Sequence, residues 1–174
     1  MIAKRLPDAS NDSVNLVVSL LVRHPELSRV IITPRFAAIA FFFVVRGRLS
    51  PAEDAHFRAS VTAHLGALHQ LDGDGQPKVV VRLSADEDMT FVEIEREAKS
   101  LARDEISLIV GLVAQHFGDR LVVNPPAEDA PEDDFGPQED AVGSALDAVR
   151  RGKQRKGLVG FREERRVLIY FGKS

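Results

Sequence analysis

The apolar run at residues 36–45 is the feature that most limits the folds open to this chain. It reads Phe-Ala-Ala-Ile-Ala-Phe-Phe-Phe-Val-Val and lies between Arg35 and Arg46. A short run with consecutive aromatic residues favours a strand, and apolar residues on both alternating faces are typical of a strand covered on both sides. The run is about half the length that a membrane-spanning helix needs. We therefore predict that residues 36–45 form the central strand of a sheet in a soluble protein.

Around this strand, hydrophobic periodicity predicts an alternation of helices and strand pairs. The predicted helices cover residues 14–23, 51–71, 101–117 and 138–151. The predicted strands cover residues 29–33, 36–48, 78–84, 90–95, 158–161 and 167–171. Residues 93–98 fit a strand or the start of the next helix equally well. The order helix–strand–strand occurs three times, so we predict an α+β fold: an antiparallel sheet built from αββ units with helices packed on its faces.

The start of the second predicted helix carries the clearest local signal. Ser50 is a good N-cap, Pro51 suits the first helical position, and Glu53 completes a capping box. Apolar residues spaced by three and four then predict its buried stripe. The members of this stripe are Phe57, Val61, Leu65, Leu68 and Leu71.

Composition predicts three segments in the chain. Residues 1–125 form the main α+β domain, residues 126–137 an acidic, proline-rich linker, and residues 138–174 a small basic αββ module. The linker contains five acidic residues and no base, whereas the module contains nine bases and five acids. A unit of this size rarely holds a core alone. We expect it to dock on the main domain, on another copy of the chain or on a ligand.

Composition also excludes several classes of function. The chain of 174 residues has no cysteine, which excludes a disulfide framework, a thiolate nucleophile and a cysteine-ligated metal. We find no P-loop, dinucleotide fingerprint or nucleophile elbow. We therefore expect no cofactor and no metal, although an enzyme with a dispersed site stays open. With no secretory signal or membrane span in the sequence, we expect a cytoplasmic protein without a membrane partner.

Basic residues near the C-terminus are the candidate functional site. They are Arg150, Arg151, Lys153, Arg155, Lys156, Arg162, Arg165 and Arg166. Such a cluster neutralises phosphates, and Phe161, Tyr170 and Phe171 are candidate stacking partners for unpaired bases. Two alternatives are cations that complement the dipole at a helix C-terminus, and a clamp that holds the acidic linker.

Two further groups of titratable residues have a weaker pattern. Glu93 and Glu95 would share one face of a strand with Glu97, where they would bind Mg²⁺ or Ca²⁺, or keep a solvent-facing strand edge charged. His56 and His64 lie on one predicted helix with His69, but no two of the three have the four-residue spacing of a metal site. We interpret these histidines as surface or core-edge residues.

Three hypotheses for function follow. The first is a non-catalytic α+β binding or assembly protein that forms a homo-oligomer, because nearly every predicted helix carries excess apolar surface. The first alternative is RNA or DNA binding through the basic C-terminal module. The second alternative is an enzyme whose site is not visible in the sequence.

Overall fold

The computed structural model describes residues 11–73, 75–125, 141–151 and 156–172. Within these ranges the chain forms four α-helices and six β-strands. In chain order they are α1 (Asn11–Arg23), β1 (Arg29–Ile32), β2 (Ala38–Arg46), α2 (Pro51–Leu71), β3 (Val79–Asp86), β4 (Met89–Glu97), α3 (Arg103–Phe117), α4 (Ala141–Arg151), β5 (Leu158–Glu163) and β6 (Arg166–Phe171). The predicted α+β class with an antiparallel sheet is confirmed.

All six strands form one sheet in the order β3-β4-β2-β1-β5-β6, and every neighbouring pair is antiparallel. β1 pairs with β2 on one side and with β5 on the other, in a register that joins Ile32 to Leu158. The C-terminal strands therefore continue the sheet of the first four. The predicted linker at 126–137 lies outside the described residues, so the division of the chain at that segment stays a prediction.

β2 lies in the interior of the sheet, but helices cover only one of its faces. Ile39, Phe41, Phe43 and Val45 are fully buried on the helix side. On the other face Ala40 is buried, but Phe42 and Val44 are only half-buried, and no described helix packs there. The expectation that β2 is covered on both sides was therefore wrong for this second face.

The start of β2 also differs from the prediction. Pro34–Phe36 forms a turn of 3-10 helix in which Arg35 has a φ of 61°, so the strand begins at Ala38 and not at residue 36. The turn joins β1 to β2, and Pro34 lies where the sheet needs no backbone donor.

The helices form a layer on one face of the sheet. α1 packs on β1, β5 and β6, α2 packs on α3, and α4 packs on both α1 and α3. Gly160 in β5 is the point of closest approach, because a Cβ there would overlap the side chain of Val17 in α1. The docking surface of the C-terminal strands and helix, which the sequence left open, is thus the β1 edge together with α1 and α3.

α2 begins as predicted and differs in its buried stripe. The Ser50 hydroxyl accepts from the backbone N–H of Glu53 at 3.2 Å, and Pro51 is the first helical residue. The Glu53 carboxylate bonds to the side chain of Arg120 at 2.8 Å and also to the backbone of Ser50, the second contact of the predicted capping box, and both bonds lower its pKa. The buried stripe continues from Leu65 to His69, whereas Leu71, predicted to be buried, is 84% exposed.

The segment that fitted both a strand and a helix belongs to β4. It pairs with β2 from Met89 to Glu97, and Val92, Ile94 and Arg96 alternate on the buried face. After α3, Leu121 forms one isolated bridge with Val45 of β2.

We predict that Gly160→Ala destabilises the protein by about 1–3 kcal/mol, because the added methyl overpacks the contact between β5 and α1. Urea unfolding measures the change. Gly111→Ala is the matched control, since nothing lies within 4 Å of a Cβ at this helical position. It should stabilise by about 0.5–1 kcal/mol. In a Val17→Ala background the cost of Gly160→Ala should fall, and an unchanged cost would contradict the packing argument.

Candidate functional site

The first candidate site is the face of the sheet away from the helices, here called the open face. Strand residues alternate between the two faces of a sheet, so the residues between the buried ones along each strand define it. Its members include Arg29, Ile31, Ala38, Ala40, Phe42, Val44, Val80, Arg82, Phe91, Glu93, Glu95, Val159, Phe161, Leu168 and Tyr170. Arg29, Phe42 and Glu93 lie side by side in one row across β1, β2 and β4.

Aromatic side chains stand on this face in contact with one another and with a cation. Phe161 and Tyr170 stack at 5.4 Å between ring centroids and 8° between planes. The Arg29 guanidinium lies 5.2 Å from the centroid of Phe42, a cation–π distance. Tyr170 is 57% exposed and Phe91 40% exposed. These amphipathic groups are of the kind that protein interfaces bury.

The carboxylates of β4 form the charged part of the open face. Arg82 bonds to Glu93 at 2.7 Å and to Glu95 at 3.4 Å, and Glu93 first, then Glu95, raises the pKa of Arg82. β4 lies between β3 and β2, so these charges are not on a strand edge, as one interpretation had it. Across the part of the chain that the structure describes, no three His, Asp or Glu side chains are arranged to hold a metal.

The second candidate site surrounds a buried ionic cluster, the Arg96 cluster, made of Arg96, Glu105 and His69. Arg96 and Glu105 are fully buried and His69 is 2% exposed. The guanidinium donates to both carboxylate oxygens of Glu105, and His69 Nε2 bonds to one of them. Arg96 also donates to the carbonyl of Lys78 at 2.7 Å and to that of Ser100 at 3.2 Å. An arginine with a bidentate carboxylate contact and several further hydrogen bonds fixes the positions of its acceptors, here Glu105 and the main chain at Lys78 and Ser100.

The sequence carries a signal for this cluster. His69 is four residues beyond Leu65, on the stripe that begins at Phe57, and Arg96 continues the buried alternation of Ile94. A charged residue in register with buried apolar neighbours requires a buried partner. The identity of that partner, Glu105, is set only by the packing of α3 on the sheet. The interpretation of His69 as a surface or core-edge residue was therefore wrong.

A cavity of about 540 Å³ lies beside the Arg96 cluster. It is lined by His69, Gly75, Gln76, Pro77, Lys78, Glu97, Lys99, Ser100, Leu101, Ala102 and Arg150. We call it the lysine cavity. It lies where β3 begins, β4 ends and α3 begins, so three elements position its walls.

A shallower cavity of about 340 Å³ lies between α2 and α3 and is lined by His56, His64 and His116 among others. The rings of His56 and His116 are 5.5 Å apart, and His116 also contacts Phe57 and Phe117. Burial, and then the positive charge of His56, lowers the pKa of His116, with Glu53 opposing and Arg120 adding to the effect.

Two of the eight predicted basic site residues are engaged inside the protein. Arg150 donates from Nε to the carbonyl of Ala98 at 3.2 Å and from Nη2 to that of Leu101. Arg162 donates to the carbonyls of Leu27 and His24, both at 3.2 Å, and burial lowers its pKa. These guanidinium groups act as structural clamps in the described residues.

Three of the other predicted residues lie at opposite ends of β5. Lys156 precedes this strand, whereas Arg165 and Arg166 lie at the turn that follows it, roughly 20 Å further along. Arg151 is exposed at the end of α4. Lys153 and Arg155 lie outside the described residues. The structure therefore does not bring the described cations into one patch, and nucleic-acid binding stays a prediction.

Comparison of the chain with known protein families, characterised proteins and solved structures found no match. In the described ranges, no helix has both the length and the apolar character to cross a membrane. The functional argument therefore depends on the two candidate sites themselves.

We predict that Glu105→Gln destabilises the protein by about 3–5 kcal/mol, because it leaves the charge of Arg96 buried without its counter-ion. Denaturant unfolding at neutral pH measures the loss. Asp104→Asn removes a neighbouring carboxylate that is 87% exposed, and should cost less than about 1 kcal/mol. Equal losses for the two variants would show that the buried pair has no special role.

We predict that the free energy of unfolding decreases as the pH falls below about 6.5. Burial lowers the pKa of both His24 and His116; at His24 Glu26 opposes this effect and Arg23 adds to it. The unfolded chain therefore takes up protons at a pH where the folded protein does not. Denaturant unfolding at pH 7 and at pH 5.5 should show a smaller decrease in a His24→Gln, His116→Gln variant. NMR titration of His116 with a midpoint at or above 6.5 would contradict this.

Proposed function

We propose that this protein is a non-catalytic assembly protein that forms a homodimer through its open face. The observation that carries the proposal is an antiparallel sheet with helices on one face and half-buried aromatic and aliphatic residues on the other. An apolar sheet face of this kind is normally covered, in one domain by a second layer and in an oligomer by a partner.

The size of the open face agrees with a dimer interface. Six strands at about 4.8 Å spacing, with the longer strands about 25–30 Å long, give a face of roughly 700 Å². A stable protein interface buries about 600–1,000 Å² on each partner. The face of one copy is therefore large enough to hold a second.

The charges on the open face are self-complementary about an axis along β2. In a two-fold dimer with this axis, Phe42 lies over its copy, and the flanking strands β1 and β4 exchange places. Arg29 and Glu93 are both in register with Phe42, on opposite sides of it, so Arg29 of each copy faces Glu93 of the other. Packed sheets cross at about 30°. Opposite charges of the two copies therefore face each other near the two-fold axis but not toward the edges of the sheets.

The alternatives have less support. Of the eight cations predicted to bind nucleic acid, Arg150 and Arg162 are engaged with backbone carbonyls. The carboxylates Glu93 and Glu95 lie on the same face as the stacked pair Phe161 and Tyr170, where they would repel a phosphate backbone. For an enzyme, the best histidine–carboxylate pair is the Arg96 cluster, which is buried among its own partners.

We predict that Phe42→Glu converts the dimer to a monomer, because it buries two carboxylates against each other at the axis. Light scattering during size-exclusion chromatography over a concentration series measures the mass. Ala67→Glu adds the same group on the exposed side of α2 and should leave the dimer intact. A compact parent monomer at high micromolar concentration would reject the proposal.

Charge exchange tests the arrangement within the dimer. Arg29→Glu and Glu93→Arg should each weaken the dimer by at least about ten-fold, because like charges then face each other. Mixed together, the two variants should form a heterodimer in which both facing pairs are opposite again. Within one copy the two residues are about 10 Å apart, across two strand spacings, so recovery on mixing reports contacts between copies. Failure to recover on mixing would exclude this axis.

A further inference from the structure

The lysine cavity has an excess of positive charge. Lys78, Lys99 and Arg150 line it against one carboxylate, Glu97, a formal balance of +2. Among the described residues, neither lysine takes part in an ion pair. Its volume of about 540 Å³ is within the range of small-molecule sites.

The walls of the cavity are held in place by two arginines that are not themselves available to a ligand. Arg96, on β4, donates to the carbonyls of Lys78 and Ser100. It also donates to the Ser100 hydroxyl at 3.2 Å. Arg150 reaches across from α4 to the carbonyls of Ala98 and Leu101. The segment that carries Lys99 and Ser100 is thus fixed by hydrogen bonds from two sides.

Helix α3 begins at this cavity. Ala102 is its N-cap residue and has no side chain that can accept from the first-turn N–H groups. The positive end of a helix of 15 residues therefore adds to the charge of the two lysines. The donors around the cavity are two ammonium groups and the end of a helix, together with the Ser100 hydroxyl.

We propose that the lysine cavity binds a phosphate group, either inorganic phosphate or a small phosphate monoester. The reason is the kind of donor that lines it. A planar carboxylate is best recognised by the two parallel N–H groups of an arginine. Neither arginine here offers them to a ligand, because Arg96 bonds to Glu105 and Arg150 to two backbone carbonyls. Ammonium groups and a helix N-terminus are point-like donors from several directions, which suit a tetrahedral dianion.

This site lies at the end of the sheet where β3 begins and β4 ends, and two of its residues, Lys78 and Glu97, also border the open face beside Ala38. It is separate from the residues on the proposed dimer axis. The open face involves Arg29, Phe42 and Glu93, none of which lines the cavity. Phosphate binding and dimerisation can therefore succeed or fail separately.

The test is an NMR titration of the uniformly ¹⁵N-labelled full chain with inorganic phosphate, methyl phosphate and acetate in turn at constant ionic strength. We expect saturable shifts of the backbone amides of Ser100, Ala102 and Arg103 with both phosphates at millimolar concentrations, and a weaker response to acetate. The Lys78→Gln, Lys99→Gln double variant should weaken phosphate binding by at least about ten-fold. Both lysines are exposed, so the variant should keep the parent fold, which circular dichroism checks.

Two controls separate a site from general attraction. Arg165→Gln, Arg166→Gln removes the same charge at the β5–β6 turn and should leave phosphate binding unchanged. Glu97→Gln removes the one carboxylate of the lining and should tighten binding a few-fold. The absence of saturable shifts would overturn the proposal. Equal loss in the two double variants would reduce it to general electrostatics, and acetate binding as tight as phosphate would exclude the phosphate assignment.

Discussion

The buried pair of Arg96 and Glu105 is the constraint on which the arrangement of sheet and helices depends. An arginine on the helix side of β4 cannot be buried without a carboxylate, because the desolvation cost of a lone charge is larger than the packing can offset. Glu105 therefore has to lie directly over β4, and α3 has to begin there. His69 bonds to the same carboxylate, so the last turns of α2 are fixed to the same point.

The pairing of these charged groups also explains why the cavity beside the cluster is cationic. Arg96 and Arg150 hold the main chain around residues 98–101 from opposite sides, one from the sheet and one from α4. The Arg96 guanidinium bonds to Glu105 and to carbonyls, and that of Arg150 bonds to carbonyls, whereas Lys78 and Lys99 line the cavity without an ion pair among the described residues. A C-terminal helix that carries a basic run thus contributes a structural clamp where the sequence suggested a nucleic-acid contact.

The two faces of the sheet have different roles although β2 is apolar on both. On one face its side chains are fully buried beneath the helix layer, and on the other Phe42 is half-buried beside Arg29. The sequence of β2 does not distinguish the two faces, because an apolar residue does not indicate whether a helix, a partner or solvent lies over it. The C-terminal strands widen the open face, since β5 pairs along the whole of β1. Phe161 and Tyr170 thereby join a surface that includes Arg29, which precedes Phe161 by 132 residues in the chain.

What the sequence determined by itself was local: the helix at Ser50 and Pro51, the strand around residues 38–45, the helix that ends at Phe117 and the hairpin near the C-terminus. Caps, turns and periodicity act between residues that are close in the chain, so they can be read directly. The tertiary structure alone decided that β5 docks on β1, that Arg96 meets Glu105 and His69, and that Lys78 and Lys99 line one cavity. These outcomes depend on contacts between segments that are distant in the chain. A buried charge or an apolar side chain requires a partner, but the sequence does not show which residue that partner is.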